Sequence, residues 1–525
     1  MNLVIIASII WLPVAAIQLS ALLYYWQRKE YRIDRMLDFL RFDEGKLIII
    51  QGANLALVLC ALINTIVGSL NPWLNIILAG TTTLATLTRV KTKGILRPKV
   101  TNKLLVILGI FLTAFSFLIW MNWEFFLNSI LIWQPIVISL IIITFQIPTK
   151  FAKQYYIQKA SKIISQKTDL ICIGITGSYG KSSTKEFLAH ILSAAGSTNK
   201  TPANINTEIG VARHIIKTAN SKDNFLVCEM GAYKKGEIKK IAKMTKPQIG
   251  IITAIENQHL SLFGTREAIK QAKSELVQNL SGKKIAILNY EQPLCQKVGQ
   301  ELQESNPETE VYYYSKLNSS KSDLKLITTK KTDHSWEIKI NYKNKEFNYQ
   351  LPQIAEALIE NTLPVILAAK LVGVSEQNIQ KQLETLPIPD QSLTLKKSIN
   401  GLTIIDDSYN GNPSGFQAGI NQLKNLPQSN KYCVTIGLLE LGKEGPLEHA
   451  KLGKLLNDSQ IKTIVLKQLA YEQMLSGINN NNSCISYISD NDEIINILKN
   501  SDPADTAIFI ANRIPTNLKN KIFAL

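Results

Sequence analysis

The chain has 525 residues, 46% of them hydrophobic and 19% charged, and its formal net charge is +17. This length suggests three or four domains, and the apolar content excludes a disordered chain and a disulfide-stapled miniprotein. A basic excess indicates nucleic acid or an anionic membrane surface as a partner. Residues 1–150 hold 13 Lys and Arg against 6 Asp and Glu, among long apolar runs. The sequence therefore favours a membrane, and without a nucleic-acid-reading motif no nucleic-acid partner is expected.

Apolar segments before residue 149 predict an α-helical membrane domain over residues 1–148 with about five transmembrane helices. These segments are Leu3–Trp26, Leu47–Leu70, Trp73–Thr88, Leu104–Trp123 and Ser129–Phe145. A helix needs about 20 apolar residues to cross a bilayer core, so the first, second and fourth are long enough, whereas the third is short enough to be re-entrant. A buried soluble core is the competing interpretation, but soluble helices seldom run so long without a polar face.

The charges between these segments predict their orientation. Basic clusters lie in residues 27–46 and 89–103, and the positive-inside rule places both loops in the cytoplasm. An odd number of crossings then puts the N-terminus outside and everything after Lys150 inside, as in a multi-pass protein of the cytoplasmic membrane. Residues 1–26 lack the basic start and the cleavage site of a signal peptide, which favours an anchor. Residues 149–166 predict a basic amphipathic connector at the membrane surface.

From Thr168 onward, short β-rich runs alternate with helical patterns, which is typical of an α/β protein with a mostly parallel sheet. Strands are predicted at Leu170–Ile175, Phe225–Met230, Ile249–Ile255, Lys284–Leu288, Leu402–Asp406, Tyr432–Ile436, Ile461–Leu466, Ile485–Ile488 and Ala507–Ile510. The polar alternation over residues 307–350 predicts an antiparallel insertion, and a helix is predicted over residues 354–371. A linker near Pro387 divides this part into expected domains over residues 167–386 and 387–525.

The cysteines are scattered singly, and the sequence contains no CxxC pair. This pattern indicates reduced, mostly buried thiols and argues against a zinc site or a disulfide framework. The cysteines are Cys60, Cys172, Cys228, Cys295, Cys433 and Cys484.

A glycine-containing loop joins the first predicted strand of this part to a predicted helix from Lys185 onward. Its glycines let backbone N–H groups surround phosphate oxygens, and the helix N-terminus adds partial positive charge. Lys181 can reach the β- and γ-phosphates, and the Ser182 hydroxyl can hold Mg²⁺. Ile175 stands where the pattern GxxxxGK[ST] has its first glycine, and an ordinary strand–helix turn is the competing interpretation. The residues expected to bind the nucleotide are Thr176, Gly177, Ser178, Gly180, Lys181, Ser182 and Ser183.

Three further residues fit a metal–phosphate centre. Glu229 ends an apolar run, so it projects from the carboxyl end of a strand, where ligands bind in doubly wound sheets. His259 follows another such strand, and Lys273 lies in the helix that comes next. Taken singly, such a glutamate is more often solvated and such a histidine structural. Sequence spacing alone does not bring the three together.

A set of motifs resembles the Mur ligase family, and most closely its MurF branch, which adds D-alanyl-D-alanine to a muramoyl peptide. The motifs are TGSYGKSSTKE (176–186), NINTEIGV (204–211), EMGAYKKGEI (229–238), NQHLSLFGTREAIKQAKSEL (257–276), LNYE (288–291), IDDSYNGNPSG (405–415) and ELGKEGPLEHAKLG (440–453). Their order and spacing resemble the family's central ATP-binding domain, expected over residues 167–386, and its Rossmann-like C-terminal domain, expected over residues 387–525.

The resemblance implies ATP-dependent amide formation, in which a substrate carboxylate attacks the γ-phosphate and an amine then displaces phosphate from the acyl phosphate. Lys181 and Mg²⁺ would neutralise the charge of the γ-phosphoryl group. A second Mg²⁺ would be held by Glu229, His259 and a carbamylated Lys273, whose added oxygens suit this hard cation. With Lys181, these three side chains form the expected catalytic set. The family's remaining roles fall on Asn289 near adenine, on Asp407, Tyr409 and Asn410 closing over ATP, and on Asn206 and Thr207 facing the substrate.

The sequence also departs from the family. Glu360–Asn361 replaces a His-Asn pair, Gln391–Ser392 replaces Gly-Arg, and residues 511–513, Ala-Asn-Arg, replace Lys-Gly-Ser-Arg. Apolar segments replace the N-terminal UDP-binding domain. The expected substrates are therefore a muramoyl peptide, either UDP-linked or lipid-linked, and an amine such as D-alanyl-D-alanine. Other wall-synthesis enzymes and membrane lipid are the further expected partners.

Two other functions compete with this interpretation. A poly-γ-glutamate-type amide ligase also pairs a membrane segment with a GKSS loop, but the motif DDSYNGNP argues against it. A nonenzymatic membrane scaffold with a degenerate ligase domain fits the departures, but the retained Lys181, Glu229 and Lys273 argue against it. Amine-dependent phosphate release from ATP would separate the three.

Overall fold

The computed structural model describes most of the chain, which forms two compact units, Met1–Gln154 and Tyr155–Leu525. The described residues are 3–42, 77, 80, 81, 83, 84, 86, 95–121, 130–219, 222–257, 260–387, 393–408, 412–439, 441–478 and 484–525. Several predictions fall outside them: the segment Leu47–Leu70, most of Trp73–Thr88, and the site residues His259, Tyr409 and Asn410.

The first unit is built from apolar helices. Their bounds are Leu3–Arg28 (α1), Ile33–Phe42 (α2), Asn102–Met121 (α3), Ile130–Thr144 (α4) and Gln146–Ser165 (α5), the last of which continues into the second unit. Helices α1 to α4 contribute to one apolar cluster, in which Ile107 and Ile138 are fully buried. The first, fourth and fifth predicted apolar segments therefore form helices, and the predicted connector lies in α5.

Many large apolar side chains of α3, α4 and α5 are exposed. They include Leu112, Phe117, Trp120, Leu140 and Ile147. Among the described residues, two helices are long and apolar enough to cross a membrane, Asn102–Met121 and Trp133–Ser165. Among the described residues, the predicted membrane domain therefore rests on two candidate helices, by length and composition alone.

The second unit begins with a nine-stranded sheet in the order β2-β3-β1-β4-β5-β6-β7-β8-β9. Its strands are Ile171–Thr176 (β1), Thr198–Lys200 (β2), Phe225–Glu229 (β3), Ile249–Ile252 (β4), Ile285–Asn289 (β5), Glu310–Ser315 (β6), Leu324–Lys331 (β7), Ser335–Tyr342 (β8) and Lys345–Pro352 (β9). Pairing is parallel from β2 to β7. Strands β3, β4 and β5 are buried throughout, as expected for a parallel sheet covered on both faces. The four predicted strands of this region are thus confirmed.

Helices connect and cover these strands. They are Lys181–Leu192 (α6), Glu208–Thr218 (α7), Glu237–Thr245 (α8), Leu260–Phe263 (α9), Arg266–Gln278 (α10), Pro293–Ser305 (α11), Ile359–Leu371 (α12) and Glu376–Glu384 (α13), with a short 3-10 turn at Glu356–Leu358. Helix α12 confirms the predicted helix over residues 354–371. This helix buries ten residues, Ile359 and those from Asn361 to Ala369, and it contacts α6 and strands β5, β6 and β7.

The predicted antiparallel insertion is confirmed only in part. Strand pairs β7–β8 and β8–β9 are antiparallel, but β6 pairs in parallel with β5, with Ile285 opposite Glu310. Helix α11 supplies the crossover that parallel strands require, which an alternating pattern alone does not reveal. Strand β2 was not predicted because its three residues, Thr-Asn-Lys, carry no apolar signal.

The C-terminal part contains a six-stranded sheet in the order β10-β11-β15-β12-β13-β14. Its strands are Thr394–Lys397 (β10), Thr403–Asp407 (β11), Asn430–Thr435 (β12), Lys462–Val465 (β13), Ile485–Tyr487 (β14) and Thr506–Ala511 (β15). Its helices are Pro413–Lys424 (α14), Gly445–Asp458 (α15), Gln468–Leu475 (α16), Asn491–Lys499 (α17) and Thr516–Ala524 (α18), with a 3-10 turn at Gly442–Glu444. Only the edge pair β10–β11 is antiparallel among these strands. The expected Rossmann-like α/β architecture is therefore present.

The five cysteines in the described part of the chain are free, and all of them except Cys484 are buried.

Candidate active site

Two glycines shape the loop between β1 and α6. Gly180 is the N-cap of α6 with a φ of 76°, a left-handed conformation that favours glycine. A Cβ at Gly180 would lie 2.5 Å from Oδ1 of Asn361, and a Cβ at Gly177 would overlap Oγ1 of Thr253. The loop backbone therefore packs directly against α12 and against the end of β4, which leaves room for glycine only.

Hydrogen bonds fix the loop to the neighbouring strands. The Ser178 amide donates to the carbonyl of Ala254 at 2.8 Å, and Ser178 Oγ donates to the carbonyl of Glu256 at 3.0 Å. The Thr176 hydroxyl donates to the carbonyl of Met230, which follows β3, at 2.8 Å. The loop thus spans the carboxyl ends of three adjacent strands, the edge at which ligands bind in open parallel sheets.

Lys181 is the first residue of α6, and its side chain curls back over the loop. Its Nζ donates to the carbonyl of Gly177 at 2.7 Å. Burial lowers the pKa of Lys181, and the negative charge of Glu229 acts in the opposite direction. The ammonium therefore occupies the concave side of the loop, where a phosphate oxygen would offer it a stronger acceptor than a carbonyl.

Ser182 and Glu229 are brought together, as the metal prediction requires. Ser182 Oγ donates to Glu229 Oε2 at 2.9 Å. The carboxylate is 2% exposed, and its other oxygen, Oε1, accepts from Asn206 Nδ2 at 3.0 Å. A hydroxyl and a carboxylate converging beside a phosphate loop are hard oxygen donors, so this pair fits Mg²⁺.

Lys273 lies on α10 and is 6% exposed. Burial lowers its pKa well below the usual value, and the positive charge of Lys181 lowers it further. Both effects favour the neutral amine over the ammonium. The described side chains include no group of three or more His, Cys, Asp and Glu that could hold a metal ion, and His259 lies outside them.

Asn289 ends β5 and is almost fully buried. Its Nδ2 donates to the carbonyl of Thr253 at 3.1 Å and to Glu360 Oε1 at 2.8 Å, while its Oδ1 accepts from the amide of Glu291 at 3.0 Å. Burial raises the pKa of Glu360. The first residue of the unusual Glu360–Asn361 pair therefore orients Asn289, and the second packs on the phosphate loop.

The remaining predicted residues differ in their surroundings. Asn206 contacts the candidate metal carboxylate, whereas Thr207 caps α7 by accepting from the amide of Gly210. Asp407 is 2% exposed at the end of β11. Asp407 lies beside the start of α14, close to Gly415. The preceding residue of that helix, Ser414, donates through Oγ to Glu256 Oε2. The C-terminal domain is thereby hydrogen-bonded to the segment that anchors the phosphate loop.

The sequence does not predict three residues at the site: Lys185, Thr253 and Glu256. A lysine in a helix beside a glutamate is usually solvated, yet Lys185 is fully buried. Thr253 and Glu256 follow β4 and serve the loop partly through backbone groups, for which the sequence carries no signal. The carboxyl-end position of Thr253 and Glu256 was the one available clue.

Two family models match the chain. Residues 175–369 match the Mur ligase middle domain, and residues 393–513 match the Mur ligase glutamate ligase domain. The chain therefore contains the middle and the C-terminal domains of the Mur ligase family.

Several proteins similar to this chain are UDP-N-acetylmuramoyl-tripeptide–D-alanyl-D-alanine ligases. The UDP-N-acetylmuramoyl-tripeptide–D-alanyl-D-alanine ligase of Bacillus subtilis is 26% identical over 309 residues, which cover 59% of this chain and 65% of the relative. The enzyme of that name from Borreliella burgdorferi is 29% identical, covering 66% of this chain and 73% of the relative. The chain spans 65% and 60% of the length of the relatives from Bacillus subtilis and Synechocystis.

Solved structures show the same fold. MurF from Acinetobacter baumannii superimposes with a TM-score of 0.64 at 23% identity, covering 71% of this chain and 81% of that one. The MurF ligase of Thermotoga maritima in complex with ADP gives a TM-score of 0.61 at 24% identity, covering 71% and 83%.

Proposed function

We propose that this protein is an ATP-dependent amide ligase of the MurF type that extends a peptidoglycan precursor. One observation carries the proposal: the Ser182 hydroxyl donates to the buried Glu229 carboxylate beside a phosphate loop, within a matched Mur ligase middle domain. The D-alanyl-D-alanine ligases among its relatives support the precursor class and the amine.

The proposed reaction assigns a role to each side chain. A peptide carboxylate oxygen attacks the γ-phosphorus of ATP, the bond to ADP breaks, and an acyl phosphate forms. The amine then forms a C–N bond and releases phosphate. Lys181 would neutralise γ-phosphoryl charge, and Ser182, Glu229 and His259 would hold Mg²⁺, which supplies further charge neutralisation when bound. Asn206 would keep Glu229 oriented.

Lys273 is proposed to be carbamylated. A neutral amine is the form that adds to CO₂, with loss of one proton, and burial beside Lys181 favours that form. The resulting carbamate is an anion, so it would be stabilised by the same Lys181 charge that disfavours an ammonium. The modification would convert a poor metal neighbour into an oxygen ligand.

The nucleotide site is proposed to extend toward the C-terminal domain. Thr176, Gly177, Ser178, Gly180 and Ser183 would surround the phosphates. Asn289 would face adenine, Asp407 and Asn410 would close over ATP from the C-terminal side, and Thr207 would stand near the substrate. The hydrogen bond between Ser414 and Glu256 supports such an approach of the two domains.

The N-terminal unit is proposed to be a multi-pass membrane domain over residues 1–148, with the ligase domains, 167–386 and 387–525, on the cytoplasmic side. Two apolar helices, Asn102–Met121 and Trp133–Ser165, support this proposal, as do the exposed Phe117 and Trp120. A lipid-linked muramoyl peptide is the proposed acceptor, because the ligase would lie beside the surface where such precursors are anchored.

The test is mass spectrometry of products made by the full-length protein in detergent. UDP-linked and lipid-linked muramoyl tripeptides are each offered with ATP, Mg²⁺ and either D-alanyl-D-alanine or glutamate. A pentapeptide product with equimolar ADP is expected, with the lipid-linked acceptor preferred. Ligation of the UDP-linked acceptor alone would refute the lipid proposal. Turnover with glutamate alone would indicate a poly-γ-glutamate-type ligase, and no turnover with any amine a scaffold.

A further inference from the structure

Lys185 is a buried cation that the proposed reaction does not use. It lies one helical turn after Lys181 on α6, and its side chain is 0% exposed. Lysine is almost never fully buried without a partner, because its charge loses hydration. The two carboxylates that compensate it are Glu186, whose Oε1 lies 3.2 Å from Nζ, and Glu229, whose Oε2 lies 3.5 Å away.

These groups form an alternating chain of charges that runs from solvent to the candidate metal ligand. Lys200, at the outer end, is 43% exposed and pairs with Glu186, which is 23% exposed. Lys185 follows, and the buried side chain of Glu229 forms the inner end. Lys185 therefore balances the negative charge of the Glu229 carboxylate, and both of these charges are buried.

The position of Glu229 depends on three side chains. Ser182 and Lys185 both reach Oε2, and Asn206 reaches Oε1. Ser182 and Asn206 are neutral, so among the described side chains Lys185 is the cation in direct ion-pair contact with this carboxylate, while Lys181 acts on it from farther away. Removal of Lys185 would leave a buried anion whose directly bonded side-chain partners are both neutral, and such an anion turns toward water or reorganises its contacts.

We propose that Lys185 is a positioning residue for the divalent metal, holding the Glu229 carboxylate beside the Ser182 hydroxyl so that the two oxygens face the metal together. Because its side chain is 0% exposed, Lys185 would act through Glu229 and not on the nucleotide itself. This inference rests on the proposed function, since the metal in question is the Mg²⁺ of the ATP site. Groups that orient a metal ligand typically change metal affinity by about 10–100-fold when they are removed.

The test compares two lysine-to-methionine variants of the full-length protein, Lys185→Met and Lys200→Met. Both remove one positive charge from the same charge chain, but only the first removes a contact to Glu229. Electron paramagnetic resonance measures free Mn²⁺ during titration in the presence of ADP. Lys185→Met is expected to weaken Mn²⁺ binding by at least about 10-fold, and Lys200→Met to leave it within about twofold. Equal affinities in wild type and Lys185→Met would overturn the proposal.

A double-mutant cycle separates positioning from general damage to the fold. In a Glu229→Gln background, Lys185→Met should weaken Mn²⁺ binding no further, because its target is already gone. A full additional loss in that background would show that Lys185 acts elsewhere and would overturn the proposal. If Lys185→Met does not fold, Lys185→Gln gives the same comparison with a polar, uncharged side chain about as long as methionine.

Two further readouts distinguish this inference from the proposed function. Lys185→Arg should restore Mn²⁺ affinity to within about threefold, because it keeps the charge near Glu229. In ADP release, the Mg²⁺ concentration for half-maximal rate should rise in Lys185→Met, while the rate at saturating Mg²⁺ changes less. Wild-type protein that bound Mn²⁺ and ADP without ligating any amine would refute the proposed function alone. Wild-type protein that bound neither would refute both.

Discussion

Gly180→Ala tests whether the phosphate loop is held as described. The residue caps α6 at a φ of 76°, and an alanine Cβ would approach Asn361 Oδ1 to 2.5 Å. The left-handed backbone costs about 1–2 kcal/mol for a residue with a Cβ. The close contact adds an overpacking term of about 1 kcal/mol or more, because the Asn361 side chain is 8% exposed and has little room to withdraw. The expected destabilisation is therefore about 2–3 kcal/mol.

A matched glycine separates the two terms. Gly236 caps α8 at a φ of 93°, but a Cβ there meets no atom within 4 Å, so Gly236→Ala should show the backbone term alone. Asn361→Ala removes the clashing atom, and in that background Gly180→Ala should cost no more than Gly236→Ala.

Thermal unfolding of the full-length protein measures these differences, at about 2–4 °C for each kcal/mol in a domain of this size. Isothermal titration with ADP follows the loop itself, and Gly180→Ala should weaken ADP binding more than Gly236→Ala does. Equal destabilisation by the two alanines, unaltered by Asn361→Ala, would refute the packing of α12 on the loop.

Other expected outcomes concern the modified lysine, a buried histidine, the C-terminal core and the membrane. Lys273→Met should fold normally but lose at least about 100-fold in amine-dependent ADP release, and bicarbonate should stimulate the wild type only; full activity of the variant would contradict carbamylation. His449 accepts from the amide of Leu438 and donates to the carbonyl of Gly445, and burial lowers its pKa. The native ring therefore takes up its proton at a lower pH than the unfolded chain, whose histidine titrates at about pH 6.5, so stability should fall as pH drops below about 7, by at most about 1.4 kcal/mol per pH unit. His449→Gln should reduce this slope in denaturant titrations, and an unchanged slope would contradict it. A Cβ at Gly419 would overlap the ring of Phe509, so Gly419→Ala should lower the stability by about 1–3 kcal/mol in thermal unfolding, and no change would contradict this packing. Carbonate washing of membranes should leave the protein in the pellet, and its release would contradict the membrane domain.

Much of the ligase part could be predicted because its signals are local. Apolar runs such as Phe225–Glu229 form strands that are buried throughout, and a run of this kind can be recognised without a partner. The phosphate loop carries its own pattern, since the left-handed conformation at residue 180 favours glycine even without its contact to Asn361. The prediction from local pattern was wrong at β6. This strand has the alternating pattern of an antiparallel strand, but it pairs in parallel with β5 after the crossover helix α11.

The candidate site was harder to predict because its contacts join distant segments. Ser182 and Glu229 were both singled out, but their contact, across 47 positions, required the pairing of β1 with β3. Lys185 could not be predicted because its place depends on a long-range contact with Glu229 on β3, and a lysine beside a glutamate ordinarily faces water. The resemblance to a known family supplied Lys273, whose chemistry depends on burial that periodicity does not disclose.

Oxygen-18 transfer tests the central claim most directly. A muramoyl tripeptide acceptor labelled with ¹⁸O in its terminal carboxylate is incubated with the full-length protein, ATP, Mg²⁺ and D-alanyl-D-alanine. The account predicts that one labelled oxygen appears in the released phosphate for each amide bond formed, because the carboxylate attacks the γ-phosphorus. Unlabelled phosphate released without amide product would contradict the account and would indicate simple hydrolysis of ATP.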